Sequence, residues 1–136
     1  MDKLTGLLTR SELNNTSIQS RSILLVDIKL LMFINDAFGH NIGDKIIKEV
    51  TEVISSVTEE SEVTCRYGGN LFLILSNDIN NLQELIDIKI KDFEFTKKID
   101  VKVNFGRSKY NPFDSFQKLF EDADRDLYLN KSSKFN

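Results

Sequence analysis

The sequence predicts an α+β fold, a mostly antiparallel central sheet flanked by helices. Short apolar runs of strand length are separated by stretches of helical periodicity. One run is apolar at successive positions, the pattern of a strand buried on both faces. Two others meet at Gly68-Gly69, which reads as the turn of an antiparallel hairpin. With 136 residues and no repeat, low-complexity tract or linker, residues 1–136 are expected to form a single domain.

The elements follow in order. Arg10 to Ser20 is polar with sparse apolar positions and reads as a short, weak helix. Ile23-Leu24-Leu25-Val26-Asp27-Ile28 is the doubly buried strand, with an acid near its end. Ile46, Ile47, Val50, Val53, Ile54 and Val57 then form one apolar stripe over three helical turns, with Lys45, Lys48, Glu49 and Glu52 largely outside it. Glu62 to Tyr67 and Leu71 to Leu75 are the hairpin strands. Leu82, Leu85 and Ile86 mark a helix from Asn81 to Lys91. Phe93 to Thr96 and Val101 to Phe105 read as further strands, the second alternating Val101, Val103 and Phe105 with Lys102 and Asn104. Asn111-Pro112 breaks the chain, and Asp114 with Gln117 three residues later resembles a capping box. Phe116, Leu119, Phe120, Ala123, Leu127 and Tyr128 repeat at helical spacing behind it.

Composition narrows the function. Hydrophobic residues make up 40% and charged residues 29%, with a net charge of −3 and no Lys/Arg block. Nucleic-acid binding through a basic footprint is therefore not expected. No apolar run approaches the roughly 20 residues that span a bilayer, and no signal-peptide pattern follows Met1. A cytoplasmic domain without membrane contact is the expectation. Cys65 is the single cysteine, so no intrachain disulfide forms. Inside a strand beside Arg66, it reads as core rather than as a reactive thiol.

Several segments spread along the chain carry a family resemblance. Asp2-Lys3-Leu4-Thr5-Gly6-Leu7-Leu8-Thr9-Arg10 opens it, with Thr9 where an Asn is usual. Asp27-Ile28-Lys29 and Ile34-Asn35-Asp36-Ala37-Phe38-Gly39-His40-Asn41-Ile42-Gly43-Asp44 follow. Arg66-Tyr67-Gly68-Gly69-Asn70-Leu71-Phe72 stands where the pattern R-[YF]-G-G-[DE]-E-F is expected, and Ala123-Asp124 with Leu127-Tyr128 and Lys131 closes the set. The chain resembles the GGDEF family of diguanylate cyclases, as a degenerate member with GGNLF in place of GGDEF. The resemblance implies a nucleotidyl-cyclase, palm-like fold. The spacings from Leu7 to Asp27 and from Gly69 to Phe105 are short for the family, so its first and third helices are expected to be trimmed.

Family members join two GTP molecules, each held by one protomer of a dimer, into cyclic di-GMP. The resemblance implies that Mg²⁺ would be held by the strand-ending acid and the two acids of the hairpin turn. Asp27 survives as a residual metal ligand, but the turn acids are Asn70 and Leu71. An amide is a poor, uncharged ligand for Mg²⁺ and Leu is none. The signature Gly68, Gly69, Asn70, Leu71 and Phe72 is thus expected to be vestigial, with no catalytic set intact and no cofactor unless residual activity retains Mg²⁺. The phosphate-binding lysine of the family falls at Met32, and the arginine expected after Lys131 is Phe135. The residues of the inhibitory product site fall at Glu59 and Glu62, whose charge opposes an anionic dinucleotide.

Nucleotide contacts implied by the resemblance are Asn35, Asp44 and Lys131, the first two reading guanine. The alternative is that Asn35 caps the following turn and Asp44 caps a long helix beginning near Lys45. Lys29 has two readings, a solvated strand-end charge or an ammonium partly replacing the lost metal. His40, the only histidine, reads as a packing or hydrogen-bonding residue of the frame rather than a catalyst. The function expected is a catalytically inactive regulatory or interaction module that retains guanine nucleotide (GTP) binding. Its partners would be a second copy or another signalling domain. A purely structural dimerisation module without ligand and an active cyclase are the alternatives.

Overall fold

The central strand explains the architecture. In the computed structural model, which describes residues 1–14 and 21–133, every residue of Ser22–Ile28 (β2) is buried. That is why its apolar run is continuous. It lies between Leu71–Ser76 (β4) and Val103–Ser108 (β5), antiparallel to both. Val63–Arg66 (β3) pairs antiparallel with β4, and the two-residue strand Leu8–Thr9 (β1) adds a parallel edge to β3. The sheet order is β1-β3-β4-β2-β5. This mixed, mostly antiparallel sheet flanked by helices is the α+β fold that the sequence predicts.

Helices cover both faces. Leu31–Phe38 (α2), His40–Val57 (α3), Ile79–Lys89 (α4) and Glu94–Ile99 (α5) pack on one face, where Leu24, Val26, Ile28, Phe72, Ile74 and Phe105 meet Ile46, Val50, Ile54, Leu82 and Ile86. Arg10–Asn14 (α1) and Phe116–Ser133 (α6) cover the other, where Ile23, Leu25, Cys65, Leu73 and Leu75 meet Leu13, Leu119, Ala123 and Leu127. The expected helix from Arg10 is described only to Asn14, since residues 15–20 lie outside the described residues.

Four expectations need correction. Phe93 to Thr96 is not a strand: a single 3-10 turn, Ile90–Asp92, leads into α5. Glu49 of α3 accepts the Phe95 and Thr96 N–H groups at 2.9–3.1 Å, satisfying donors that a helix start leaves open. The cap of α6 is Ser115, whose Oγ accepts the Lys118 N–H at 3.1 Å, rather than Asp114. Tyr128 is exposed, because the buried stripe of α6 is the narrower i, i+4, i+8 row Leu119, Ala123 and Leu127. Helix α3 begins at His40, so Asp44 lies inside it and caps nothing.

Candidate functional site

Antiparallel pairing brings the hairpin turn beside the end of β2. Asp27 stands opposite Leu71 on one side and Asn104 on the other. The turn is a four-residue loop, numbers 67–70, in which the Tyr67 and Gly68 N–H groups both donate to the Leu71 carbonyl, at 2.8 and 3.1 Å. Neither Gly68 nor Gly69 has positive φ. A Cβ on Gly69 would meet nothing within 4 Å, and one on Gly68 only Leu71 Cβ at 3.7 Å. The loop conformation does not itself demand glycine.

Asp27 has a side chain only 6% exposed, and both of its oxygens are engaged. Asn70 Nδ2 donates to Oδ1 at 2.7 Å, and Lys131 Nζ lies 3.1 Å from Oδ2. Asn70 is held in place by its own backbone, since its carbonyl accepts the Ile28 N–H at 2.9 Å. Lys131 arrives from α6, one turn beyond the buried Leu127, and its neighbour Asn130 donates to the Phe105 carbonyl at 2.7 Å. Burial pushes the Asp27 carboxyl above its ordinary pKa, and the Lys131 ammonium pulls against that shift.

A divalent cation does not fit this donor set. Mg²⁺ needs convergent oxygens with negative charge, and the groups converging on Asp27 are the Lys131 ammonium and the side-chain amides of Asn70 and Asn104. Among the described residues no three His, Cys, Asp or Glu side chains stand together as metal ligands.

The other predicted residues fall as follows. Lys131, assigned by resemblance to the nucleotide, is the cation seated on Asp27. Lys29 lines the same cleft of about 240 Å³, with Asn70, Asn104, Met32 and Phe33. Leu71 and Phe72 begin β4, and Phe72 is wholly buried in the core. Asn35 sits late in α2 with its side chain against Gly43, where a Cβ would lie 1.7 Å from its Oδ1. Asp44 is the next residue after Gly43 and is exposed. His40 is exposed at the start of α3 and is not a packing residue. Glu62 accepts the Glu59 N–H at 2.8 Å and pairs with Ser76 Oγ. Cys65 is buried, which pushes its thiol up to about 11, with Glu12 adding to the shift. Phe135 lies outside the described residues.

Two residues escaped sequence reasoning. Asn104 is 3% exposed, and its Oδ1 has no partner among the described residues. By alternation it belongs with Lys102, opposite Val101, Val103 and Phe105, and so reads as a polar surface position. Arg66 organises the hairpin: its Nη2 donates to the Gly69 carbonyl at 2.8 Å and its Nη1 lies 3.2 Å from Asp2 Oδ2. Asp2 in turn accepts the Thr5 N–H at 2.9 Å and its hydroxyl at 2.7 Å, so the opening motif is a turn docked on the hairpin.

Comparison with known proteins places this geometry among relatives. The family model described as Diguanylate cyclase, GGDEF domain, matches residues 1–136. Diguanylate cyclase A of Treponema denticola is 32% identical over 127 residues, covering 87% of this chain and 34% of the relative. Diguanylate cyclase DosC of Escherichia coli is 27% identical over 150 residues, covering 96% of this chain and 33% of the relative. The chain thus spans about a third of the length of these relatives. The crystal structure of the GGDEF domain of DgcB from Caulobacter crescentus, in complex with c-di-GMP, superposes with a TM-score of 0.85 at 24% identity, covering 98% of this chain and 88% of that one.

Proposed function

The chain belongs to the GGDEF family of diguanylate cyclase domains, and from that membership we propose that it is a catalytically inactive module of cyclic di-GMP signalling, acting through regulation or interaction in the cytoplasm. One observation carries the reading. Asp27, the acid that the family resemblance gives to Mg²⁺, is neutralised by Lys131 and hydrogen-bonded by Asn70. A protein cation and an amide stand where the chemistry needs a metal between carboxylate and phosphate. Each 1.4 kcal/mol lost from transition-state stabilisation is about tenfold in rate, so losing metal and phosphate cations together is disabling.

The test is direct. The purified chain incubated with GTP and Mg²⁺ yields no cyclic di-GMP above background by chromatography. A product peak that vanishes in Asp27→Ala overturns the reading.

Guanine nucleotide binding is the second part of the proposal. It is supported by Asn35 packing against Gly43, which puts its amide beside the segment that carries the exposed Asp44. An amide and a carboxylate together suit the guanine edge. With Met32 in place of a phosphate lysine and Lys131 held by Asp27, base contacts dominate. GTP, GDP and GMP bind weakly and alike in calorimetric titration, with little dependence on Mg²⁺, and Asp44→Ala weakens all three. Tight, Mg²⁺-dependent binding of GTP alone, or no binding at millimolar concentration, sinks this part.

A further inference from the structure

Among the described residues β5 ends the sheet order, so its outer side is a row of peptide groups that no strand pairs. Such a row is a template for strand addition unless something covers it. In an antiparallel ladder successive residues aim their N–H and C=O groups alternately toward the partner strand and away from it. Phe105 and Arg107 belong to the outward set, and both are met by side chains of α6. Asn130 Nδ2 donates to the Phe105 carbonyl at 2.7 Å, and Asp126 Oδ2 accepts the Arg107 N–H at 2.8 Å.

We infer that Asp126 and Asn130 stand in for one residue of an added strand, and so close the β5 edge against strand addition by another polypeptide. The inference goes beyond the signalling reading and depends on neither nucleotide nor metal.

Geometry carries it. The outward carbonyl of Phe105 and the outward N–H of Arg107 flank Gly106. They are the two groups that one residue of a parallel neighbour would engage, through its own N–H and C=O. An amide donor and a carboxylate acceptor, four residues apart on one face of α6, supply the same pair. Both side chains are short, so they reach the strand only where helix and strand lie close. Gly106 permits that approach, since a Cβ there would collide with the Ala123 carbonyl and Leu127 Cβ. Asp126 serves the peptide group and not the guanidinium, because Arg107 Nη1 donates to Asn80 Oδ1 at 2.5 Å. The opposite edge is protected by brevity, β1 being two residues long. The partner that the uncovered β5 edge fits is an extended segment bound by main-chain hydrogen bonds. While α6 is seated, other proteins are left with helices and loops to contact.

The Asp126→Ala/Asn130→Ala double variant, without nucleotide, tests the inference. Hydrogen exchange at the Arg107 amide accelerates about tenfold or more, the loss of a hydrogen bond to a charged group, with unchanged circular dichroism. Asp126→Asn, which keeps an acceptor oxygen, leaves that amide protected, whereas Asp126→Ala alone does not. In sedimentation velocity at micromolar concentration the double variant forms species larger than the unaltered chain does. Adding Arg107→Pro abolishes them, because proline removes the outward N–H and is tolerated in an edge strand. Glu121→Ala, an exposed change on the same helix, alters neither exchange nor mass. Equal exchange at Arg107 in Asp126→Ala and Asp126→Asn overturns the inference. So does a double variant that sediments as the unaltered chain does, or association that persists with Arg107→Pro and therefore reports general unfolding.

Discussion

Asp27 is buried with its charge, and such a charge persists only when neighbours compensate it. In this chain the compensation is local and proteinaceous: 3.1 Å to Lys131 and 2.7 Å to Asn70. Removing the cation exposes the cost. Lys131→Met lowers stability at neutral pH by about 1–3 kcal/mol, below the value for a wholly buried pair because the lysine is partly exposed. The sign with pH is set by the raised Asp27 pKa. Protonation favours the folded state, so the deficit shrinks as pH falls through the raised folded value toward the ordinary carboxylate value. Urea titrations of both proteins across that range check it, and a deficit that grows on acidification contradicts it. The hairpin glycines give a contrasting case. Gly69→Ala changes stability by less than about 0.5 kcal/mol in either direction, because the site has negative φ and open space. Asp27 was legible as a strand-end acid, but its partner was not. Nothing in local spacing joins residue 27 to residue 131; only the packing of α6 against β5 and β2 does.

The elements show the same division. Strand β2 and the stripe of α3 were legible because burial on two faces and on one face leaves different periodicities. Helix α5 was not, because Phe93 and Phe95 alternate with polar residues as in a strand, and the group that favours a helix start is Glu49, far earlier in the chain. Glu49→Ala therefore costs about 1 kcal/mol and accelerates hydrogen exchange at the Phe95 and Thr96 amides; unaltered protection there refutes the capping role. The two-residue β1 is too short to leave a sequence pattern, yet its turn reports on pH. Burial raises the Asp2 carboxyl, but the Thr5 hydrogen bonds and Arg66 outweigh it, and the net pKa is lowered. The stability it contributes is present above the unfolded value near 3.8 and lost as pH falls through the lower folded value. Asp2→Asn thus destabilises by about 1–2 kcal/mol at neutral pH and by progressively less in acid, as denaturant midpoints will show.

Across the whole molecule, α6 and the sheet act as one assembly through Gly106. A Cβ there would stand 2.3 Å from the Ala123 carbonyl and 2.6 Å from Leu127 Cβ. Gly106→Ala lifts the helix that carries Lys131 and costs about 1–3 kcal/mol, readable as a lower denaturant midpoint. A neutral outcome there would show that the helix rides more loosely on the sheet than its packing indicates. The central strand has a further consequence, for biosynthesis. Leu24 pairs with Ile74 and Arg107, so the most apolar strand leaves the ribosome well before either neighbour exists. At about 5–20 residues per second of synthesis, β2 waits for several seconds with unpaired edges and both apolar faces uncovered. The nascent chain is most vulnerable to misassociation in that interval, which closes only when the strand after residue 102 emerges to complete the sheet.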